Sequence, residues 1–313
     1  MSQPEETPKV EPPGAGYPGA MLGALPSGSH AWRRVASGTL EALASVEVDR
    51  AGRVWVGGAA GSLLRSEDGA RTFARVATAP RQGVSGLWSD GQRRLVVCAG
   101  GEIAASDDDG ATWAPTSCRG KYNDNLRERG GVLMATNIRS RVLTSTDGGV
   151  RWKSLDTGWR RYLYSVAGNG AGTLCAGSDE AVVLSRDGGA SWRVVRLRHR
   201  QYMRGAHALP SGEVVLVGDE GKVHLGDASG RFTAAHLEKR LCLYSVWGAG
   251  NTLFAVGHQD YALAIRHSGD RGLTWRAEPV DDDAGARQLL AVNGLPDGTV
   301  VAVGDRGGIW VRR

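Results

Sequence analysis

Serine, aspartate, glycine and an aromatic residue recur in one motif along this chain. The pattern S-x-D-x-G-x-T-W is complete at residues 106–113 and 268–275, and related copies bring the aspartates to five: Asp68, Asp108, Asp147, Asp187 and Asp270. A carboxylate can bind a metal ion or transfer a proton, but one aspartate in each of several separate turns cannot converge on a substrate. The serine and aspartate side chains can instead hydrogen-bond the N–H groups of their own turn. We therefore predict structural Asp-box turns and no metal site.

Arginine and tyrosine are a second group of residues that could bind a ligand. The chain has 33 arginines and only five lysines, and a guanidinium group can bind a carboxylate or phosphate through two parallel hydrogen bonds and stack on an aromatic ring. This composition is typical of binding hot spots. The candidate partner-binding residues are Arg81, Arg161, Tyr162, Arg200, Tyr202, Arg204, Arg240, Tyr244 and Arg287.

The same arginines have an alternative use. Carboxylates occur in loops that we expect on the same face of the molecule, at Glu102, Asp179, Glu180, Asp219, Glu220, Asp260 and Asp305. The arginines could pair with these carboxylates across the boundaries between repeats and form a solvated ion-pair network rather than a partner-binding patch. The formal net charge of +5 slightly favours the patch.

Catalysis has weak support in the sequence. A glycoside hydrolase needs two carboxylates that flank the scissile bond, and Glu180 and Glu220 are the only weak candidates, since they occupy equivalent loops of adjacent repeats. No motif surrounds either residue. We therefore assign no catalytic residue and do not expect an enzyme, with a sialidase-like hydrolase kept as an alternative.

An aromatic residue marks each repeat at a nearly constant spacing of 39 to 43 residues. The seven markers are Trp32, Phe73, Trp113, Trp152, Trp192, Phe232 and Trp275. Four short apolar runs separated by Gly, Asn and Asp precede or include each marker, which is typical of β-propeller blades. The last segment supplies only three runs, and residues 31–35 resemble the missing fourth. The sequence thus predicts an all-β, seven-bladed β-propeller whose ring is closed by the N-terminal strand.

The Asp-box motifs on a forty-residue period resemble the bacterial neuraminidase repeat superfamily. Within it, the run Val-Gly-Asp-x-Gly at residues 217–221 and 303–307 is similar to the photosystem II stability and assembly factor family and its non-photosynthetic bacterial relatives. The resemblance covers about residues 30 to 313. It implies a seven-bladed propeller that acts as an assembly chaperone through an arginine-rich face. Sialidases share the Asp box, but their Arg-Ile-Pro motif does not occur in this sequence.

The unbroken period predicts one folded domain at residues 30–313. Residues 1–29 contain six of the 11 prolines, and this composition predicts a disordered tail. No secretory signal pattern and no apolar run of the ~20 residues needed to span a bilayer is found. Cys98, Cys118, Cys175 and Cys242 lack metal-binding spacing. We expect a cytoplasmic protein without a cofactor.

These observations favour a non-catalytic interaction or assembly scaffold that binds an acidic segment of a protein partner on its Arg/Tyr-rich face. A lectin that binds a glycan or another anionic ligand is the main alternative. Nucleic acid fits less well, because lysine is scarce and the arginines are predicted to ring a channel rather than form a stripe.

Overall fold

Every part of the chain that the structure describes belongs to one ring of antiparallel sheets. The structure is a computed structural model and describes residues 31–76, 82–119, 123–137, 140–169, 174–197, 202–227, 229–280 and 285–313. Within these ranges, seven four-stranded sheets form seven blades. The predicted all-β, seven-bladed β-propeller is confirmed. The predicted tail, residues 1–29, lies outside the described residues.

The strands follow one another from the inside of each blade to its outside, and in blade 7 the chain's first strand takes the outer place. β1 (Arg33–Val35) precedes blade 1. Blade 1 contains β2 (Leu43–Val48), β3 (Val54–Gly58), β4 (Leu63–Ser66) and β5 (Ala74–Arg75), and blade 2 contains β6 (Val84–Ser89), β7 (Arg94–Cys98), β8 (Glu102–Ser106) and β9 (Ala114–Arg119).

Blades 3 to 5 follow in the same order. Blade 3 contains β10 (Asn123–Arg129), β11 (Val132–Asn137), β12 (Arg141–Ser145) and β13 (Lys153–Asp156). Blade 4 contains β14 (Ser165–Gly168), β15 (Leu174–Gly177), β16 (Ala181–Ser185) and β17 (Arg193–Arg196). Blade 5 contains β18 (Met203–Ala208), β19 (Val214–Gly218), β20 (Lys222–Gly226) and β21 (Phe232–His236).

Blades 6 and 7 complete the ring. Blade 6 contains β22 (Leu241–Ala249), β23 (Thr252–Gln259), β24 (Ala262–Ser268) and β25 (Arg276–Glu278). Blade 7 contains β26 (Leu289–Gly294), β27 (Val300–Gly304) and β28 (Ile309–Arg312), and β1 is its outer strand.

Burial follows the position of a strand within its blade. Four second strands, β3, β7, β19 and β27, are buried at every residue. Both faces of such a strand pack on a neighbouring blade, so its sequence is continuously apolar instead of alternating. The outer strand β17 is mostly exposed. The core is therefore a set of apolar layers between blades.

The first strand closes the ring. β1 pairs antiparallel with β28, with Arg33 opposite Val311 and Val35 opposite Ile309. Trp32 directly precedes β1 rather than lying within it, and its Nε1 donates a hydrogen bond of 2.7 Å to Glu278 of blade 6. The predicted closure is confirmed, and a buried indole contact joins blade 7 to blade 6.

A β-bulge interrupts the start of nearly every inner strand. The pairing register shifts within the first four residues of six inner strands, namely at Ala44, Ser85, Asn125, Arg204, Tyr244 and Leu290. In blade 4 the equivalent residue is Tyr164, which directly precedes β14 and donates its N–H to Gly177 at 2.8 Å. A bulge inserts one extra residue and re-aims its side chain. Each blade thus presents one bulge residue at the same end of the ring.

Removal of residues 1–36 tests the closure. This deletion takes away β1 and the Trp32 contact, so it exposes the edge of β28 and apolar surface of blades 6 and 7. We expect the protein to unfold or aggregate, as measured by circular dichroism and size-exclusion chromatography. Removal of residues 1–25 is the control and should leave the melting temperature nearly unchanged. An unchanged melting temperature after removal of 1–36 would show that β1 is dispensable.

Candidate functional site

A continuous row of side chains crosses blades 4, 5 and 6 at the end of the ring where the inner strands begin. We call it the Arg/Tyr row; its members are Tyr162, Tyr164, Tyr202, Arg204, Tyr244, His258 and Tyr261. Ring centroids lie 6.3 Å apart for Tyr162 and Tyr164 and 5.2 Å apart for Tyr164 and Tyr202. The row continues through Arg204 to Tyr244, and His258 then stacks on Tyr261 at 5.7 Å. Three blades thereby share one surface.

Arg204 holds the centre of the row. Its guanidinium lies 5.2 Å from the ring centroid of Tyr202 and 5.2 Å from that of Tyr244, a cation–π contact on both sides. Nε and Nη2 donate to the two carboxylate oxygens of Asp219 at 2.6 and 3.1 Å. Burial opposes the charge, but the bonds and the charge of Asp219 outweigh it and raise the pKa of Arg204 above its usual value. The cation is therefore fixed in place.

Two further arginines pair with carboxylates in the same manner. Arg161 donates to Asp179 at 2.8 Å in blade 4, and Arg240 donates to Asp260 at 3.2 Å in blade 6. Each pair lies within one blade. The pairing across blade boundaries that the sequence suggested is wrong for these residues, because the inner strand and the second strand are antiparallel neighbours. The loop before the inner strand and the loop after the second strand therefore meet at the same end.

The face keeps open aromatic and cationic surface despite this pairing. Tyr162, Tyr202 and Tyr261 are 51%, 43% and 76% exposed. The side chain of Arg240 is 77% exposed. A guanidinium has five N–H donors, and Arg240 uses one of them on Asp260. The arrangement can therefore bind a ligand that offers carboxylates and apolar groups.

The structure places the predicted binding residues unevenly. Tyr162, Tyr202, Arg204 and Tyr244 contact one another through the row, and Arg161 and Arg240 lie in the turns before β14 and β22. Arg287 lies apart from the row in blade 7, where its backbone N–H donates to Asp305 at 2.9 Å. Arg81 and Arg200 are outside the described residues.

Sequence reasoning left Tyr164, His258 and Tyr261 out of the candidate set. Tyr164 had a usable signal, because it is spaced forty residues from Arg204 and Arg204 is spaced forty from Tyr244. Tyr164, Arg204 and Tyr244 occupy equivalent positions of blades 4, 5 and 6, which an alignment of the blade sequences would have revealed. His258 lies on β23 and had no comparable signal.

The two weak catalytic candidates occupy turns between the second and third strands. Glu180 is paired with Arg196 at 3.2 Å and with Arg161 at 3.5 Å. Glu220 lies in a 3-10 turn, Asp219–Gly221, with a positive φ of 55°. Glu180 is thus engaged in two ion pairs of blade 4.

The Asp-box turns lie at the opposite end of the ring, between third and outer strands. In blade 2, the Ser106 hydroxyl donates to Asp108 at 2.8 Å, and the N–H groups of Gly110 and Thr112 donate to Ser106 and Asp108 at 2.8 Å each. Equivalent serine and aspartate bonds form at Asp68, Asp147, Asp187 and Asp270. Each aspartate is engaged with its own turn.

These bonds lower the pKa of the turn aspartates. The hydroxyl and the N–H of Thr112, together with Ser106, lower the pKa of Asp108 to about 2. The corresponding bonds, with Thr72 and Ser191 as the largest causes, hold the pKa values of Asp68 and Asp187 well below the usual range. All three carboxylates are ionised at neutral pH and act as acceptors.

Two further kinds of feature are absent from the described residues. Across the part of the chain that the structure describes, no group of three or more His, Cys, Asp or Glu side chains could hold a metal ion. No helix among the described residues has the length and apolar character that crossing a membrane requires.

Comparison with known proteins shows the fold. No family model and no curated protein matches the chain. A solved structure of YCF48 bound to D1 peptide is 16% identical, covers 93% of this chain and 97% of its own, and superposes with a TM-score of 0.70. YCF48 from Cyanidioschyzon merolae gives 15% identity, 90% and 98% coverage and a TM-score of 0.69. The WD40 propeller domain of Doa1 is 12% identical, covers 91% of this chain and 97% of its own, and superposes with a TM-score of 0.74.

Acid should destabilise the propeller through the Asp-box turns. The pKa of Asp108 is about 2 in the folded protein and about 3.9 in an unfolded chain, so unfolding takes up a proton. The stabilisation is complete above about pH 4 and is lost as the pH falls towards 2. In urea titrations at several pH values, we expect Asp108→Asn to reduce this acid dependence and to lower stability at pH 7.

Asp107→Asn is the matched control for Asp108→Asn. Asp107 is adjacent in sequence and pairs with Arg93 on the surface at 2.9 Å, and exposed ion pairs contribute little to stability. The control should keep the wild-type melting temperature at pH 7. Equal effects of the two substitutions would refute a specific role for the Asp108 hydrogen bonds.

Proposed function

We propose that this propeller is a non-catalytic interaction scaffold that binds an acidic segment of a protein partner on the Arg/Tyr row. The observation that carries the proposal is the fixed position of Arg204 between Tyr202 and Tyr244. A cation that is already held by Asp219 loses little conformational freedom when a partner docks beside it. The surface is thus prepared for binding before the partner arrives.

The chemistry of the row fits an acidic segment that also carries apolar residues. Exposed tyrosine rings supply large contact area at low cost in side-chain entropy. Arg161 and Arg240 hold exposed ion pairs, which are weak in water, so a partner carboxylate can share or replace the carboxylates of Asp179 and Asp260. Arginine with tyrosine is the composition of interface hot spots.

The structural neighbours support a protein partner of this kind. The YCF48 structure contains a bound D1 peptide, so a propeller of this architecture can hold a peptide. The Asp-box turns and the Val-Gly-Asp-x-Gly runs support kinship with the assembly-factor family and its bacterial relatives. The four cysteines are free, and three of them are buried, which supports a cytoplasmic location.

The alternatives receive less support from the geometry. A lectin that reads an acidic sugar would need a guanidinium with a free fork, but Arg204 already gives two donors to Asp219. A sialidase-like hydrolase would need a carboxylic acid that can donate a proton, and Glu180 is paired with two arginines. The scaffold is therefore our preferred function.

Charge reversal on the face tests the proposal. Selection of a displayed library of random peptides on the wild-type protein should enrich clones rich in Asp, Glu and aromatic residues. The double variant Arg161→Glu/Arg240→Glu should weaken binding of these clones by about tenfold or more, because attraction becomes repulsion. Fluorescence anisotropy measures the affinities, and wild-type affinity should fall as salt rises.

Arg231→Glu provides the matched control. Arg231 is 87% exposed, pairs with Asp227 at 3.9 Å and lies beside β21 at the other end of the ring. The Arg231→Glu variant should bind the selected peptides as the wild type does. Melting curves must show that all variants are folded. A folded double variant that keeps full affinity would rule out the face that Arg161 and Arg240 share with the Arg/Tyr row as the binding surface.

A further inference from the structure

A small cavity lies among the inner strands of blades 3, 4 and 5, away from the Arg/Tyr row. It encloses about 60 Å³ and is lined by residues 127–129 of β10, 166–168 of β14 and 206–208 of β18, together with Met134. One water molecule needs roughly 10–15 Å³ by this measure, so the cavity can hold several waters or one small polyatomic ion. Its charged lining residues are Arg127, Glu128 and Arg129.

Arg127 occupies a position that is apolar in the other six blades. It lies two residues after the bulge of β10, and the equivalent residues are Val46, Leu87, Val166, Ala206, Val246 and Val292, all buried. Burial lowers the pKa of Arg127 despite the opposing charge of Glu47. Apolar side chains fill this position in the other six blades. Packing alone therefore does not require a guanidinium group in blade 3.

The positive charges near the cavity are only partly matched by carboxylates. Among the described residues, no carboxylate lies within ion-pair distance of Arg127 or Arg129, and the Glu128 carboxylate accepts the N–H of Gly131 at 2.6 Å. Burial raises the pKa of Glu47 to about 8, with Arg127 opposing the shift and Glu128 adding to it. The two guanidinium groups therefore share the cavity with one lining carboxylate, that of Glu128.

His207 contributes an unsatisfied nitrogen from blade 5. Its Nε2 is buried and has no hydrogen-bond partner among the described residues, whereas the ring also bonds the backbone of Gly248. Burial, followed by the charges of Arg129 and Arg127, lowers the pKa of His207 to about 4. Buried polar atoms are nearly always hydrogen-bonded in folded proteins. In the neutral ring this nitrogen offers a lone pair to a hydrogen-bond donor, whereas the two guanidinium groups offer donors to an anion.

We propose that this cavity among the inner strands of blades 3, 4 and 5 binds a small oxyanion of the phosphate or sulfate class between Arg127, Arg129 and His207. Guanidinium groups bind such oxygens through paired, charge-assisted hydrogen bonds. A bound anion would compensate two half-buried guanidinium charges that no described carboxylate contacts. The hydroxyl of a hydrogen phosphate ion would also supply a donor for the lone pair of His207 Nε2.

The oxyanion site is separate from the proposed partner-binding row. His207 lies three residues beyond Arg204 on β18, a distance of about 10 Å along the strand. No member of the Arg/Tyr row lines the cavity. The inference therefore does not rest on the scaffold function, and either proposal can fail alone.

Titration with inorganic phosphate tests the site. Calorimetry at pH 7 should show saturable binding at one site in the wild type, and the melting temperature should rise with phosphate beyond the effect of sodium chloride at equal ionic strength. Sulfate should compete with phosphate. Arg127→Leu should weaken phosphate binding on the order of ten- to a hundredfold, because charge-assisted hydrogen bonds are lost.

The variants separate binding from folding. Leu87 occupies the equivalent position in blade 2, so Arg127→Leu should remain folded and should match or exceed the wild-type melting temperature without phosphate. Arg129→Gln is a second variant for the case that Arg127→Leu fails to fold, and it should also weaken binding. Arg231→Gln, beside the outer strand β21 and exposed, should titrate as the wild type does.

Two results would overturn the proposal. One is a wild-type protein that responds to phosphate no more than to chloride. The other is phosphate binding of wild-type strength in a folded Arg127→Leu or Arg129→Gln protein. A wild-type protein that binds phosphate but enriches no peptide would contradict only the scaffold function.

Discussion

A propeller blade can bury its two faces only against its neighbours, and every other feature of this protein depends on that constraint. The ring must therefore close, and here β1 completes blade 7 by pairing with β28. The closure includes a buried carboxylate, Glu278, which accepts the Trp32 indole N–H at 2.7 Å and pairs with Arg312 at 3.3 Å. A buried charge is tolerated only when it is paired, so the contact between blades 6 and 7 specifies one arrangement.

Ring closure also creates the candidate binding surface. Residues forty positions apart become neighbours because successive blades place the same strand position around one axis. Tyr164, Arg204 and Tyr244 are bulge residues of three successive blades, and contacts through Tyr202 and between Arg204 and Tyr244 join them into one row. Close approach of the inner strands demands small residues beside the bulges: a Cβ on Gly205 would lie 3.1 Å from the Cα of Ser245.

The abundant arginines serve more than one purpose. At the junction of blades 1 and 2, Arg53 and Arg65 donate to Asp109 at 2.8 and 2.6 Å, and the guanidinium of Arg94 lies 4.8 Å from the Trp55 ring centroid. These arginines stabilise the packing of two blades. The arginine excess is therefore partly architectural.

The sequence by itself determined the fold, because the repeat spacing, the apolar runs and the incomplete last blade are local patterns that permit one architecture. It also identified the Asp-box aspartates, whose hydrogen bonds stay within one turn. Only the tertiary structure decided the partners of Arg161, Arg204 and Arg240, because an ion pair depends on which loops meet at one end of a blade. The tertiary structure alone likewise brought His207 to Arg127, eighty residues away along the chain but close to the same axis.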